Sequence, residues 1–284
     1  MPGAPCEDAM DGREIQRIAQ EAARRSPLVH HVTNRVACTL QAKACYALNG
    51  RAIMTDLPSE LPEASAMAQA GVINLGTPGE QSERAYDLMA KLFSAQGKPF
   101  LLDPVGCSSF EGRLRRGLSI CGMGPHLVKG NYGEVISLAW RRCLEASGVD
   151  AGALGEMEPR EVAKLALGLS EKLRCCVVAT GRVDLVAFDG RATAITGGSP
   201  MGAAVPGLGC ALGSIMACAM GAGVEPHRAA IWGCGLLKGA AIWAEAKDPD
   251  LGPEGFLGHV LDFLSLCRKR PMGDVFDCLE VVEC

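Results

Sequence analysis

Four consecutive residues, Gly207-Leu-Gly-Cys210, stand where a glycine-rich turn runs into an apolar helix, in a stretch with no charged residue between Arg191 and Glu225. The first N–H groups of a helix lack intrahelical acceptors and sit at the positive end of the helix dipole, so such a turn offers converging donors to an anion. The amides of Gly207, Leu208, Gly209 and Cys210 outline a phosphate-sized hole with a thiol at its lip. The same Gly/Ala-rich run also suits a tightly packed core helix. It does not suit a membrane span: Pro206 and several glycines interrupt it and leave roughly 13 helical residues, about 20 Å against the roughly 30 Å of a bilayer core.

Further polar residues gather at the ends of predicted strands: Asp103, Lys129-Gly-Asn131 with Glu134, and Thr180-Gly181. In an open parallel sheet, ligands sit beyond the carboxyl ends of the strands. Any one of these residues could be a cap or a solvated group; together with an anion hole they compose a site for a phosphorylated, metal-bearing ligand.

The elements that must position them follow from periodicity. Helices are expected over 15–25, 36–49, from a Pro58-Ser-Glu60 cap through 63 onward, and over 82–96, 160–173, 226–246 and 255–267, besides the helix after Gly207. Strands are expected over 52–56, 72–76, 100–103, 126–129 and 175–181, and an extended piece over 27–34. Residues 185–188 and 192–196 read as an antiparallel hairpin through Asp189-Gly190. Residues 145–160 read as a loop, and the tail after Pro271 carries no clear pattern. Strands alternating with helices imply a mostly parallel sheet.

The 284 residues carry no linker-like stretch, so one domain over 1–284 is expected. With 28 basic and 32 acidic residues the net charge is −4 and no basic block occurs, which argues against nucleic acid or an anionic membrane and for a small partner. Fourteen cysteines without a leader segment or Cys-x-x-Cys spacing suggest a reduced, cytoplasmic protein whose thiols mostly serve as small apolar side chains, with no structural zinc.

From about residue 27 to 266 the chain resembles hydroxyethylthiazole kinase, a thiamine-salvage family of the ribokinase-like superfamily. The resemblance rests on ordered motifs: Val32-Thr-Asn34, Met54-Thr-Asp-Leu-Pro-Ser-Glu60, Asn74-Leu-Gly-Thr77, Leu102-Asp-Pro-Val-Gly106, Lys129-Gly-Asn-Tyr-Gly-Glu134, Val178-Ala-Thr-Gly-Arg-Val-Asp184 and Val205-Pro-Gly-Leu-Gly-Cys210. It implies a three-layer α/β/α sandwich around a mostly parallel sheet, and ATP-dependent phosphorylation of the hydroxyl of 4-methyl-5-(2-hydroxyethyl)thiazole. It also implies that Met54, Asn34 and Gly207 bind the thiazole, that Lys129, Thr180 and Asn131 contact ATP, and that Asp103 and Glu134 hold Mg²⁺ directly or through water. A homotrimer with sites between subunits is implied as well.

Cys210 falls where most ribokinase-like enzymes place a catalytic aspartate. A helix N-terminus should lower its thiol from about 8.5 toward neutrality. The chain departs from the family's usual Thr-Gly-Thr-Gly-Cys with Pro206-Gly-Leu-Gly-Cys210, and has His31 where Asn is frequent and Lys129 where Arg is common. Alternative readings are a kinase for another small heteroaromatic alcohol, an ATP-dependent NAD(P)H-hydrate dehydratase, and a non-catalytic thiazole-binding relative.

Overall fold

The computed structural model describes residues 10–144, 157–248, 250–272, 275–276 and 279–283. In chain order the first elements are α1 (Gly12–Arg25), β1 (Leu28–Val32), α2 (Cys38–Ala47), β2 (Arg51–Ile53), α3 (Leu61–Met67), β3 (Ala70–Asn74), α4 (Glu80–Ala95) and β4 (Phe100–Asp103). Then come α5 (Glu111–Cys121), β5 (Leu127–Asn131), α6 (Tyr132–Trp140), α7 (Pro159–Leu173), β6 (Cys176–Thr180), β7 (Asp184–Phe188) and β8 (Arg191–Ile195). A 3₁₀ turn (Pro200–Ala204), α8 (Leu208–Gly221), α9 (Pro226–Lys247), α10 (Pro253–Cys267) and β9 (Val281–Glu283) complete the described chain.

The strands form one nine-stranded sheet in the order β2-β1-β3-β4-β5-β6-β7-β8-β9. From β2 to β6 every pairing is parallel; β7, β8 and β9 extend the sheet antiparallel. Two-residue alternation sends Val72, Leu101 and Val178 to one face and Ile73, Leu102 and Val177 to the other, so each face is buried under its own apolar cluster. This is the expected three-layer α/β/α sandwich.

The layers stay close because the helix over β1, β3 and β4 is built of small residues. In α8, a Cβ on Gly213 would sit 3.3 Å from Leu101 Cδ2, and one on Gly221 3.0 Å from Pro27 Cβ. On α9, a Cβ at Gly233 would lie 2.7 Å from Met216 Cγ. Trp232 is fully buried and its indole N–H reaches the Ile15 carbonyl at 2.9 Å, which ties α9 to α1. The core-helix reading of the Gly/Ala run is therefore right for its length, and its first turn remains open to the strand ends.

Three local expectations change. The strand expected over 52–56 is the short edge strand β2, which leaves Met54 and Asp56 free to line a cavity. The helix expected from 63 starts at Leu61, and Glu60 makes no capping bond because its carboxylate takes the Thr55 hydroxyl. The tail supplies β9, held by Thr196 N–H to Glu280 O at 3.0 Å and by its pairing with β8. Of the loop expected over 145–160, residues 145–156 lie outside the described residues and Pro159 already opens α7.

Two glycine variants test this packing. Gly233→Ala should lower stability by about 1–3 kcal/mol through overpacking against Met216. Gly168→Ala, on the exposed side of α7 with nothing near its Cβ, should raise it by about 0.5–1 kcal/mol. Urea unfolding midpoints report both; equal effects would contradict the close α8–α9 contact.

Candidate active site

The parallel register brings the chemistry to one edge. Asn74 at the end of β3 is paired with Asp103 at the end of β4, and Asn131 at the end of β5 with Thr180 at the end of β6. The chain leaves β1 outward to β2 and returns to β3 on its other side, so a crevice opens between the loops after β1 and β3, where open α/β sheets bind ligands. A cavity of about 310 Å³ lies there, lined by His31, Asn34, Arg35, Met54, Asp56 and Thr77 among others.

A ring of hydrogen bonds links this cavity to the start of α8. Asn34 Nδ2 donates to Asn74 Oδ1 at 2.8 Å and reaches Cys210 Sγ at 3.5 Å. Asn74 Nδ2 donates to Asp103 Oδ2 at 2.8 Å, and the Lys129 ammonium donates to the same oxygen at 3.0 Å. Lys129 closes the ring through the Gly209 carbonyl at 2.9 Å. Asp103 Oδ1 is buried and has no partner, an open acceptor inside an otherwise satisfied network.

The electrostatics follow from burial. Desolvation raises the Asp103 carboxyl above the usual carboxylate range, against the pull of Lys129 and Asn74. Burial also acts to strip the proton from Lys129, but the charge and hydrogen bond of Asp103, together with the fields of Cys210 and Glu134, outweigh it and hold the ammonium above its ordinary value. Burial, then the charge of Asp103, push the Cys210 thiol up, so the expected drop toward neutrality does not occur. The helix dipole is real, but sulfur that is mostly out of water beside a carboxylate is a poor place for a second negative charge. His31 is pushed down to about 3 by burial and by His30, which keeps it neutral; its ring nitrogens meet Val29 O and Ser214 Oγ.

The anion hole is narrower than the sequence suggests. Gly207 adopts φ +85° as the α8 N-cap, a conformation glycine enters freely. The Leu208 N–H is spent on Val205 O at 3.3 Å, which removes it from the set. The amides of Gly207, Gly209 and Cys210 have no protein acceptor among the described residues, and Gly207 meets Ala37 rather than the cavity. Of the other expected contacts, Met54 and Asn34 line the cavity. Lys129 is 3 % exposed and turned inward. Thr180 donates its hydroxyl to Gly130 O, and Asn131 caps α6 by accepting Glu134 N–H.

Glu134 completes that capping box, with Oε2 on Asn131 N–H and Oε1 on Gly106 N–H, both at 2.8 Å. Burial and then Asp103 raise its carboxyl. Sequence reasoning gave no role to Asn74, Gln41 or Thr77. Asn74 had a legible signal, a polar residue ending an apolar strand beside Asp103. Gln41 is a polar residue on the buried face of α2 and donates to Cys210 O at 3.3 Å. Thr77, at φ +40°, accepts Arg35 N–H across the cavity mouth; it closes the motif Asn74-Leu-Gly-Thr77, which gave it no separate role.

A profile of the Hydroxyethylthiazole kinase family matches residues 19–269. The chain is 32% identical to a hydroxyethylthiazole kinase of Archaeoglobus fulgidus over 254 residues, covering 89% of this chain and 91% of that one. It is 31% identical to the thiamine biosynthesis bifunctional protein ThiM/ThiE of Symbiobacterium thermophilum, over 92% of this chain but only 56% of that longer protein, so it spans about half of it. The solved structure of a hydroxyethylthiazole kinase from Pyrococcus horikoshii OT3 superposes with a TM-score of 0.82 at 28% identity, covering 96% of this chain and 99% of that one. A Staphylococcus aureus pyridoxal kinase shares the fold at 14% identity and a TM-score of 0.64, over 90% of this chain and 98% of that one.

Asp103→Asn should cost about 3–5 kcal/mol, because it leaves the Lys129 ammonium buried without its counter-charge. Joining it to Lys129→Met should return much of that loss in urea unfolding. A single variant as stable as the parent would show that the pair is not the site's structural anchor.

Proposed function

The chain belongs to the hydroxyethylthiazole kinase family, and on that premise we propose that it transfers the γ-phosphoryl group of ATP to the hydroxyl of 4-methyl-5-(2-hydroxyethyl)thiazole, releasing ADP. One observation carries the reading. The hydrogen-bonded ring sets Cys210, Asp103 and the α8 amides between a cavity lined by Met54 and Asn34 and the strand ends bearing Asn131 and Thr180. An alcohol held in the cavity and a nucleotide lying over Asn131 and Thr180 would meet at the start of α8.

In this reading Met54 packs its thioether on the thiazole ring, and Asn34 orients the side chain that carries the hydroxyl. The amides of Gly207, Gly209 and Cys210 receive the transferred phosphoryl oxygens. Phosphoryl transfer passes through a loose transition state in most analyses, so placing the groups and neutralising charge matter more than a strong base. Cys210 stands as a thiol at neutral pH and in that form cannot take the alcohol proton, which then leaves late to a phosphoryl oxygen; the thiolate fraction that grows with rising pH accepts it directly.

The residues fit a hard cation that keeps part of its hydration. Asp103 Oδ1 is a buried carboxylate oxygen without a partner, and each Glu134 oxygen retains a lone pair beyond its amide bond. Asp103 would hold Mg²⁺ directly and Glu134 through water, and the ion would neutralise phosphate charge.

We also read the chain as a single kinase domain, cytoplasmic, and a homotrimer with sites shared between subunits. Val36, Tyr46 and Met67 are 66%, 60% and 56% exposed, apolar side chains that a neighbouring copy could cover. Among the described residues, no helix is long and apolar enough to cross a membrane.

ADP release measured over a panel of small alcohols should be greatest with the thiazole alcohol. Release preferring another heteroaromatic alcohol would change the substrate; ATP-dependent turnover of hydrated NAD(P)H, or none at all, would sink the kinase reading. In the parent, kcat should climb with pH toward the alkaline side, since thiolate forms only above the ordinary thiol range. Cys210→Asp should flatten that climb, and Cys210→Ser should lose roughly 10²-fold, the lower end of general acid–base contributions. A serine variant with full activity and the parental profile would make Cys210 a packing residue. Light scattering at micromolar protein should give a trimer, and a monomer would remove the shared-site geometry.

A further inference from the structure

Two loops that flank the nucleotide side of the site are joined by a charged group the reaction does not use. Lys238 lies within α9, and its ammonium donates to Arg182 O at 3.1 Å and Gly197 O at 3.3 Å, with Asp184 Oδ2 at 3.5 Å. Both side chains are about nine-tenths buried, at 10% and 9% exposure. Asp184 in turn accepts Gly181 N–H at 3.0 Å. From the opposite side the Tyr132 hydroxyl donates to Val183 O at 2.7 Å, and its ring lies against Gly181, where a Cβ would be 3.0 Å from Cε1. The segment after Thr180 is thus pinned from both sides.

The second loop has fewer ties. It leaves β8 through Gly197 and Gly198, at φ +91° and +93°, and reaches the α8 N-cap at Gly207 by way of the 3₁₀ turn. The bonds of Gly202, Val205 and Leu208, and the Ser199 side-chain bond to Met201, stay within the loop. Among the described residues, besides Thr196 on Glu280, the hydrogen bond that ties its start to the body of the protein is the one from Lys238, whose Cγ would also meet a Cβ on Gly198 at 3.4 Å. Ala203 and Ala204 are exposed.

We propose that Lys238, paired with Asp184, is a positioning residue for the nucleotide: one buried ammonium sets the distance between the loop after Thr180 and the loop that delivers Gly207 to the anion hole. The proposal rests on the reading that the nucleotide lies over Thr180 and Asn131. An ammonium suits the task because its three donors diverge toward the three oxygens of three different residues. A neutral side chain of similar length would leave Asp184 an uncompensated buried charge and two carbonyls unpaired. The cavity assigned to the alcohol is lined from the β1 to β3 side and includes no residue of either loop.

The test reads nucleotide and alcohol separately in Lys238→Met and in Lys238→Met joined to Asp184→Asn. ATP affinity by calorimetry, and KM for ATP, should weaken by about tenfold or more, since small misplacements of binding groups have effects of that order. KM for the alcohol should stay within about twofold. The double variant removes both charges, so its thermal stability should recover toward the parent while ATP affinity stays weakened; it carries the test if the single variant does not fold. Unchanged ATP affinity in a folded variant overturns the proposal, as does an ATP affinity that recovers together with stability. Calorimetry with the parent separates the two readings: tight ATP without thiazole turnover faults the assigned reaction only, whereas an active parent whose variants bind ATP normally faults the role of Lys238.

Discussion

The site depends on the Asp103–Lys129 ion pair. Its side chains are 1% and 4% exposed, and charges so far from water are stable together only if each finds further polar partners. Asn74 supplies a second donor to Asp103, and the Gly209 carbonyl supplies a second acceptor to Lys129. Those partners are what link β3, β4, β5 and α8 into one rigid edge. Among the described residues, Asp103 Oδ1 is the carboxylate oxygen of this pair that has no protein partner.

The small residues of α8 serve this arrangement from the other direction. Gly213 against Leu101 and Gly221 against Pro27 bring the helix axis close to the sheet, so its first turn falls within reach of a lysine on β5. Larger side chains would lift the helix and separate Gly209 from Lys129. The packing reading and the anion-site reading of the Gly/Ala run therefore describe two ends of one helix.

How much of this was legible in the sequence varies with the physics involved. The order of strands and helices, the hairpin through Asp189-Gly190, and the gathering of Asp103, Lys129, Asn131 and Thr180 at one edge all follow from local periodicity, and the structure agrees. A metal-bearing phosphate site is suggested by the residues at the strand ends, whereas the expected homotrimer and the separate roles given to Met54, Lys129, Asn131 and Thr180 rest on family resemblance. What could not be read depends on contacts distant in sequence. The Cys210 thiol is governed by burial and then by Asp103 rather than by its helix, and a nearer contact was missed too, the turn in which Val205 takes the Leu208 amide. The strand β9 shows too little alternation to be seen without β8 as its partner, and Lys238 has no pattern that marks it from other helix lysines.

The inward turn of Lys129 also changes how it can serve an anion. A peptide unit is planar and trans, so the Gly209 carbonyl and the Cys210 N–H belong to one rigid plane and point in opposite directions. By holding the Gly209 oxygen at 2.9 Å, Lys129 fixes the direction of the Cys210 amide without touching a ligand. Gln41 does the same one residue on, holding Cys210 O at 3.3 Å and so orienting the Ala211 plane. A first helical turn is normally free to fray and tilt its donors. Held at two successive carbonyls, this one keeps its amides aimed before any anion arrives, and that preorganisation is worth more at a developing charge than a flexible cation reaching in from solvent.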